Sequence, residues 1–210
     1  MVTVDTTKIK SALKRRRHKM IGEELFVKSA VLVPFLKDDT GSWNILFQVR
    51  SSLLNRQPGE ICFPGGTLEG PAENPCQAAR RETSEELGLE LEEIDVWGQL
   101  GLIVTPSNML LYSFVGQIPP LKELNPSPDE VDSVFSVPLE HLLTLEPETH
   151  YISIQPKPSA DFPFDKIPGG RNYPWRTGVV PEVFYDIDGR TVWGLTARIL
   201  QYFLALIKEI

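Results

Sequence analysis

The stretch that decides the fold of this chain runs from Gly65 to Leu89 and reads GGTLEGPAENPCQAARRETSEELGL. It predicts a glycine turn, then an acidic loop, then a helix over about 75–87. The helix is expected to end at Gly88, because glycine takes the left-handed conformation that often follows a last helical turn. Gly65 and Gly66 would let the backbone approach a ligand closely, since neither carries a side chain.

The predicted helix carries a cluster of carboxylates. Residues three and four positions apart share one helix face, so Glu82, Glu85 and Glu86 should lie together. Like charges at this spacing destabilise a helix by a few tenths of a kcal/mol, roughly, which suggests that they hold a cation. We therefore predict these three glutamates as ligands of Mg²⁺ or Mn²⁺, which prefer oxygen donors. Arg81 lies four residues before Glu85, within reach of an ion pair that would orient a carboxylate.

The residues from Arg81 to Leu89, RETSEELGL, resemble the core of the Nudix box, REUxEExGU, in which U is aliphatic. Thr83 departs from that pattern at the first aliphatic position. Glu73 stands at the usual interval before Arg81, where it is a candidate structural partner of the arginine. The spacing between Gly66 and Arg81 is 14 residues, one more than in the common box. This longer spacing is typical of the coenzyme A pyrophosphatase branch of the Nudix hydrolases.

The upstream residues also resemble that branch, whose extended signature reads roughly LLTxRSxxxRxxxGxxxFPGG. Here 46–51 read LFQVRS, Gly59 follows, and 63–66 read FPGG. Gln48 replaces the usual threonine. Asn55 replaces the second arginine, and its neighbour Arg56 is expected to take the place of that arginine. Arginine suits phosphate because its planar group donates two hydrogen bonds. The resemblance implies a substrate-binding set of Arg50, Ser51, Arg56, Gly65 and Gly66.

Three later segments extend the resemblance over roughly 27–205: PDEV at 128–131, FSVPL at 135–139 and WGLTA at 193–197. In many Nudix enzymes a glutamate beyond the box is the general base or an extra metal ligand. Glu130 precedes an apolar strand, where such a residue is expected, although an ordinary solvated charge is the alternative. The resemblance thus implies a catalytic group of Arg81, Glu82, Glu85 and Glu130.

The resemblance implies an α+β fold, the Nudix-type α/β/α sandwich with a mixed β-sheet. We predict a basic N-terminal helix within 1–24 and a Nudix hydrolase domain over 25–210. The implied activity is metal-dependent hydrolysis of the coenzyme A or acyl-coenzyme A diphosphate, giving 3′,5′-ADP and 4′-phosphopantetheine. One alternative substrate is ADP-ribose or another nucleoside diphosphate derivative, since Pro106 lies near the position where that branch often has a proline. A non-catalytic, nucleotide-sensing domain is the other alternative.

Hydrophobic periodicity and turn residues place the remaining elements. We expect a helix near 5–18, a loop over 51–66, a proline-rich loop over 119–128, a short helix over 138–143 and a last helix over 194–208. The expected strands are 27–36, 43–50, 96–104, 109–117, 132–137, 183–187 and 190–193. A long loop over 156–181 contains Tyr173 and Trp175, which would either line the substrate site or pack among themselves.

Composition limits the functional classes. The net charge of −7 and the pI near 5.1 argue against a nucleic-acid binder. Seven of the 21 Lys and Arg residues fall between Lys8 and Lys19. They would form either a solvated helix face or a surface that contacts phosphates or an acidic partner. No apolar stretch is long enough for a signal peptide or a membrane span, so we expect a cytoplasmic protein that does not bind membranes. A homodimer is a possible assembly, because dimers are the commonest homo-oligomers.

The remaining cysteines and histidines do not suggest a further site. Cys62 and Cys76 are expected to be reduced and packed, because two cysteines cannot build a zinc ribbon. His18, His141 and His150 show no metal-ligand spacing.

Overall fold

The computed structural model describes residues 5–15, 20–70 and 72–210. The helices are α1 (Thr6–Arg15), α2 (Pro75–Leu87), α3 (Leu139–Thr144) and α4 (Gly194–Lys208). The strands are β1 (Val27–Lys37), β2 (Trp43–Arg50), β3 (Ile61–Cys62), β4 (Gly65–Thr67), β5 (Asp95–Val104), β6 (Met109–Gln117), β7 (Val131–Pro138), β8 (Glu148–Ile154), β9 (Gly178–Ile187) and β10 (Arg190–Trp193).

Seven strands form a mixed sheet around the long strand β1. Along one side, β1 pairs in parallel with β6, and β5 forms the edge beyond β6. Along the other side, β1 pairs antiparallel first with β4 and then with β2. Strand β2 also pairs with β3 and β7. The pairing of β4 with β1 fixes the glycine turn within the sheet, beside the C-terminal half of α2.

The two faces of this sheet bury different layers. On one face, α2 packs its alanines and Leu87 against strand residues such as Leu32 and Leu46. On the other face, Val33 and Phe47 pack against α4 and against a second, three-stranded antiparallel sheet in the order β10–β9–β8. Alternate residues of β1 and β2 therefore point to opposite cores, as a strand requires. The predicted α+β architecture with a mixed sheet is confirmed.

Most predicted elements are present, with several corrections. The predicted loop over 51–66 contains β3 and the start of β4, and β9 begins at Gly178, inside the predicted loop over 156–181. Strand β8 was not predicted, because most of its side chains are exposed and offer no apolar alternation. Helix α1 is described only to Arg15, so the rest of the predicted 5–18 helix, including His18, lies outside the described residues.

Candidate active site

Helix α2 begins and ends at the residues that local chemistry predicts. Asn74 caps its N-terminus: Oδ1 of Asn74 accepts a hydrogen bond from the backbone N–H of Gln77, and Oε1 of Gln77 accepts one from the backbone N–H of Asn74. Pro75 follows at the first helical position, where its missing N–H costs nothing. Gly88 ends the helix in the left-handed conformation, with φ of 66°. This fixed register presents the glutamates of α2 to the glycine turn.

The glycine turn approaches its neighbours too closely to allow any side chain. Gly65 has φ of 149°, and a Cβ there would lie 2.2 Å from the carbonyl oxygen of Ala30. A Cβ on Gly66 would lie 2.3 Å from Cδ of Glu82. The carboxylate of Glu82 therefore lies directly against the turn. Space and conformation both require glycine at position 65, whereas a side chain at position 66 would displace the Glu82 carboxylate.

Glu86 is the most deeply buried carboxylate of the site, with 4% of its surface exposed. Its Oε2 accepts a hydrogen bond of 2.8 Å from the backbone N–H of Gly65. Burial raises the pKa of Glu86 to about 7, against the opposing effect of that hydrogen bond. A carboxylate this deeply buried is stabilised by a bound cation. Among the described residues, no Lys, Arg or His side chain forms an ion pair with Glu86.

Gln48 is a second buried polar group next to Glu86. Its side chain is fully buried, and neither amide atom makes a hydrogen bond of acceptable geometry with any described group. The amide is nevertheless near enough to lower the pKa of Glu86 and of Cys62. Burial and the charge of Glu86 together raise the pKa of the Cys62 thiol to about 11, so this cysteine is a packing residue rather than a nucleophile.

Arg81 is the centre of an ion-pair network on the exposed side of α2. Its Nε lies 2.9 Å from Oε1 of Glu73, and its Nη1 lies 3.0 Å from Glu82 and 3.1 Å from Glu85. Its Nη2 also donates to the carbonyl oxygen of Thr67 at 3.1 Å. The hydrogen bond from Arg81 lowers the pKa of Glu73. The network links the helix to β4 and holds the orientation of Glu82.

The carboxylates of Glu82 and Glu86 both lie against the glycine turn. Burial raises the pKa of Glu82, Arg81 opposes this effect, and the charges of Glu85 and Glu130 add to the rise. The charge of Glu130 acts on Glu86 as well. Backbone hydrogen bonds place the loop that carries Glu130 beside the end of α2: the N–H of Ser127 donates to the carbonyl oxygen of Glu86 at 3.0 Å, and the N–H of Ser51 donates to the carbonyl oxygen of Glu130 at 2.9 Å. Mutually repelling carboxylates at one place are the arrangement that a hard cation stabilises.

The carboxylate oxygens are suitable donors for such a cation, but the described side chains do not form a complete coordination site. Glu82 and Glu86 are half-buried or buried at the turn, whereas Glu85 is 56% exposed and paired with Arg81. Among the described ranges, no three His, Cys, Asp or Glu side chains are already grouped as a metal site. The position of Glu85 as a ligand thus stays a prediction.

The predicted substrate-binding residues fall into three different settings. Arg50 lines a cleft of about 340 Å³ together with both glycines of the turn. Ser51 is buried, and its hydroxyl donates to the carbonyl oxygen of Pro128, so it anchors the loop that carries Glu130. Arg56 is exposed, and Nη2 of Arg50 donates to its carbonyl oxygen at 3.5 Å. The structure therefore brings Arg50 to the glycine turn and leaves Arg56 on the outer part of the loop.

The cleft has two walls that the sequence analysis did not assign. Glu182 of β9 and Trp193 of β10 line it opposite the glycine turn. The indole of Trp193 stacks on Phe184 with ring centroids 5.8 Å apart. The WGLTA segment was a usable signal for this wall, because it places an aromatic residue immediately before α4. Nothing in the sequence indicated that the second sheet closes over the turn.

The other candidate side chains have local partners. Thr83, which departs from the Nudix pattern, is fully buried and donates to the carbonyl oxygen of Ala79 at 2.6 Å. Tyr173 and Trp175 pack against each other with ring centroids 4.9 Å apart. His141 and His150 each lie near a carboxylate, Asp188 at 3.3 Å and Glu148 at 3.2 Å respectively.

Comparison with known proteins agrees with this geometry. A sequence profile described as the NUDIX domain matches residues 27–156. The chain is 34% identical over 184 residues to the mitochondrial coenzyme A diphosphatase NUDT8 of Homo sapiens, covering 85% of this chain and 69% of that protein. It is 37% identical over 124 residues to the peroxisomal coenzyme A diphosphatase NUDT7 of Mus musculus, covering 59% of this chain and 51% of that protein.

Solved structures bear on the fold alone. A MutT/nudix family protein from Enterococcus faecalis superposes with a TM-score of 0.53 at 14% identity, covering 98% of this chain and 70% of the other.

Within the described residues, no helix is both long and apolar enough to cross a membrane.

Proposed function

The chain belongs to the Nudix family, and from that membership we propose that it is a metal-dependent hydrolase of coenzyme A or acyl-coenzyme A. The products would be 3′,5′-ADP and 4′-phosphopantetheine. The observation that supports the hydrolase proposal is the position of the Glu82 and Glu86 carboxylates against the glycine turn. The coenzyme A proposal is supported by the branch signature around Arg50 and by two relatives that are named coenzyme A diphosphatases.

The proposed chemistry is attack of water on one phosphorus of the diphosphate, with breakage of the bridging P–O bond. Glu82, Glu85 and Glu86 would hold Mg²⁺ or Mn²⁺. Such a cation, when bound, neutralises the charge of the diphosphate and makes water a stronger nucleophile. We assign to Glu130 the acceptance of the proton from the attacking water, because its carboxylate acts on both Glu82 and Glu86.

Two further roles follow for residues that need not touch the reacting atoms. Arg81 would hold Glu82 in position, since its Nη1 lies 3.0 Å from that carboxylate and its Nε is fixed by Glu73. Gly65 and Gly66 would let the diphosphate approach the backbone, because a side chain at either position would fill the space.

The substrate arms would be recognised on the two sides of the cleft. Arg50 and Arg56 are the candidates for phosphate contacts, since guanidinium groups bind phosphate through two parallel hydrogen bonds. Trp193 offers an aromatic face, 39% exposed, on the opposite wall. We propose that this face packs against the adenine or the pantetheine arm, and that Ser51 acts through the position of its loop.

The substrate proposal is tested by comparing kcat/KM for coenzyme A, acetyl-coenzyme A, ADP-ribose, NADH and dGTP, each with Mg²⁺ and Mn²⁺. Coenzyme A or its acyl form should be preferred, and Arg50→Met should raise KM for it more than Arg176→Met, which changes an exposed arginine outside the cleft. Preference for ADP-ribose would keep the hydrolase and overturn the substrate. Turnover of none of them would favour the nucleotide-sensing alternative.

Three further proposals concern the domain organisation, the location and the assembly of the protein. We propose that 25–210 form the hydrolase domain and that 1–24 stand apart as a basic segment, since the described side chains of α1 are largely exposed. We also propose a cytoplasmic location, which cell fractionation would test against the mitochondrial and peroxisomal locations in the names of the two relatives. We propose a homodimer because dimers are the commonest homo-oligomers, and light scattering would test this assembly.

A further inference from the structure

A second cavity of about 490 Å³ lies between β5, β9 and α4. It lies on the side of the main sheet that α4 covers, whereas α2 and its glutamates pack on the other side. Its walls are mainly apolar or aromatic: Leu100, Leu102, Ile103, Val183, Ile199 and Tyr202. This volume is within the range of small-molecule sites, which are largely apolar with a few placed polar groups.

Arg198 is the single charged side chain that lines this cavity. It is half-buried on α4, and within the described part of the chain it makes no ion pair and no side-chain hydrogen bond. A guanidinium carries five donors, and those of Arg198 reach solvent at the edge of the cavity, where they are available to a ligand. The residue is therefore suited to an anion that enters from outside the chain.

Gly101 leaves the space that such a ligand needs. It lies on β5 at an irregularity in the pairing with β6, and a Cβ there would meet only Oγ of Ser113 and Cε1 of Tyr202, both at 3.9 Å. A small side chain is thus sterically acceptable, and a large one would project into the cavity. Gly98, three positions earlier on the same strand, would meet nothing within 4 Å and offers a matched control.

We propose that this cavity binds an amphipathic monocarboxylate, with Arg198 pairing with the carboxylate and the apolar walls enclosing a hydrocarbon tail. One cation matches one negative charge, and the lining contains no second cation of the kind that a phosphate-rich ligand would recruit. It also contains no acidic side chain to hold a metal ion. The site is separate from the glutamates of α2, so the inference does not depend on the proposed hydrolase activity.

The test is isothermal titration of the full chain with octanoate, with 1-octanol as the uncharged probe of the same tail. Octanoate should bind saturably at one site. Arg198→Met should weaken octanoate binding by about tenfold or more, because a hydrogen bond to a charged group is lost, and should leave 1-octanol binding unchanged. Arg198→Lys should retain most of the affinity, since it keeps the charge.

Filling the cavity with a larger side chain provides a second, independent test. Gly101→Leu should abolish binding of both probes, whereas Gly98→Leu and Arg176→Met should bind octanoate like the wild type. Circular dichroism of each variant would separate loss of binding from loss of fold. Absence of saturable octanoate binding to the wild type, or an unchanged affinity in folded Arg198→Met, would overturn the proposal. A failure of this kind leaves the hydrolase proposal untouched, because the active-site cleft and this cavity share no lining residue.

Discussion

Replacing Glu86 with glutamine should stabilise the metal-free protein at alkaline pH, although it should abolish the proposed function. The substitution keeps the shape of the side chain and an oxygen that can accept the hydrogen bond from Gly65. It removes the charge whose burial raises the pKa of Glu86 from 4.5 to about 7. A carboxyl with that change of pKa costs the native state about 3 kcal/mol at pH 8.

The sign of the effect follows from proton binding. Between pH 4.5 and about 7 the native state holds a proton on Glu86 that the unfolded chain has already lost. Stability of the wild type therefore falls as pH rises through that window. At pH 5 the same group costs less than about 1 kcal/mol, so the gain from Glu86→Gln should grow by roughly 2 kcal/mol between pH 5 and pH 8.

Urea unfolding followed by tryptophan fluorescence, with EDTA present and at several pH values, measures this difference. Glu85→Gln is the matched control, because it removes a charge from the same helix at a side chain that is 56% exposed. Its stability relative to the wild type should change little across the same pH range. A Glu86→Gln difference that is flat with pH, or a loss of stability at pH 8, would show that Glu86 is not a buried charge in the native protein.

The remaining predictions concern the scaffold of the site. Gly65→Ala should cost at least about 2 kcal/mol, because its Cβ would overlap a strand carbonyl, and thermal unfolding should show a far larger loss than for Gly98→Ala. Asn74→Ala should lower the unfolding free energy by about 1 kcal/mol through loss of the helix cap, and Asn74→Ser should restore most of it. Glu73→Gln should reduce kcat several-fold with little change in KM if Arg81 positions a metal ligand; an unchanged kcat would remove that role.

Much of the fold could be predicted from the sequence because α2 carries strong local signals. Asn74, Pro75 and Gly88 set its ends, and the spacing of the glutamates set its functional face. The family, the mixed sheet and the strands around β1 and β2 are confirmed. The role of Glu130 beside the α2 carboxylates stays a prediction from the family resemblance, since no local pattern relates residues so far apart.

The second sheet could not be predicted, and with it the far wall of the cleft. Most side chains of β8 are exposed, so it lacks the apolar alternation that identifies a strand, and it forms only because β9 offers a partner. Trp193 and Glu182 face the glycine turn through that long-range pairing. Arg198 was likewise invisible, because the lack of an ion-pair partner is a property of three-dimensional surroundings.

We propose that the α2 glutamates support hydrolysis of the coenzyme A diphosphate. The most direct test is mass spectrometry of the products formed from coenzyme A in oxygen-18 water with Mg²⁺ or Mn²⁺. The expected products are 3′,5′-ADP and 4′-phosphopantetheine, with one labelled oxygen in one of the two, and both products should be lost in Glu82→Gln and with EDTA. Intact coenzyme A in the wild-type reaction, or undiminished turnover by Glu82→Gln, would contradict it.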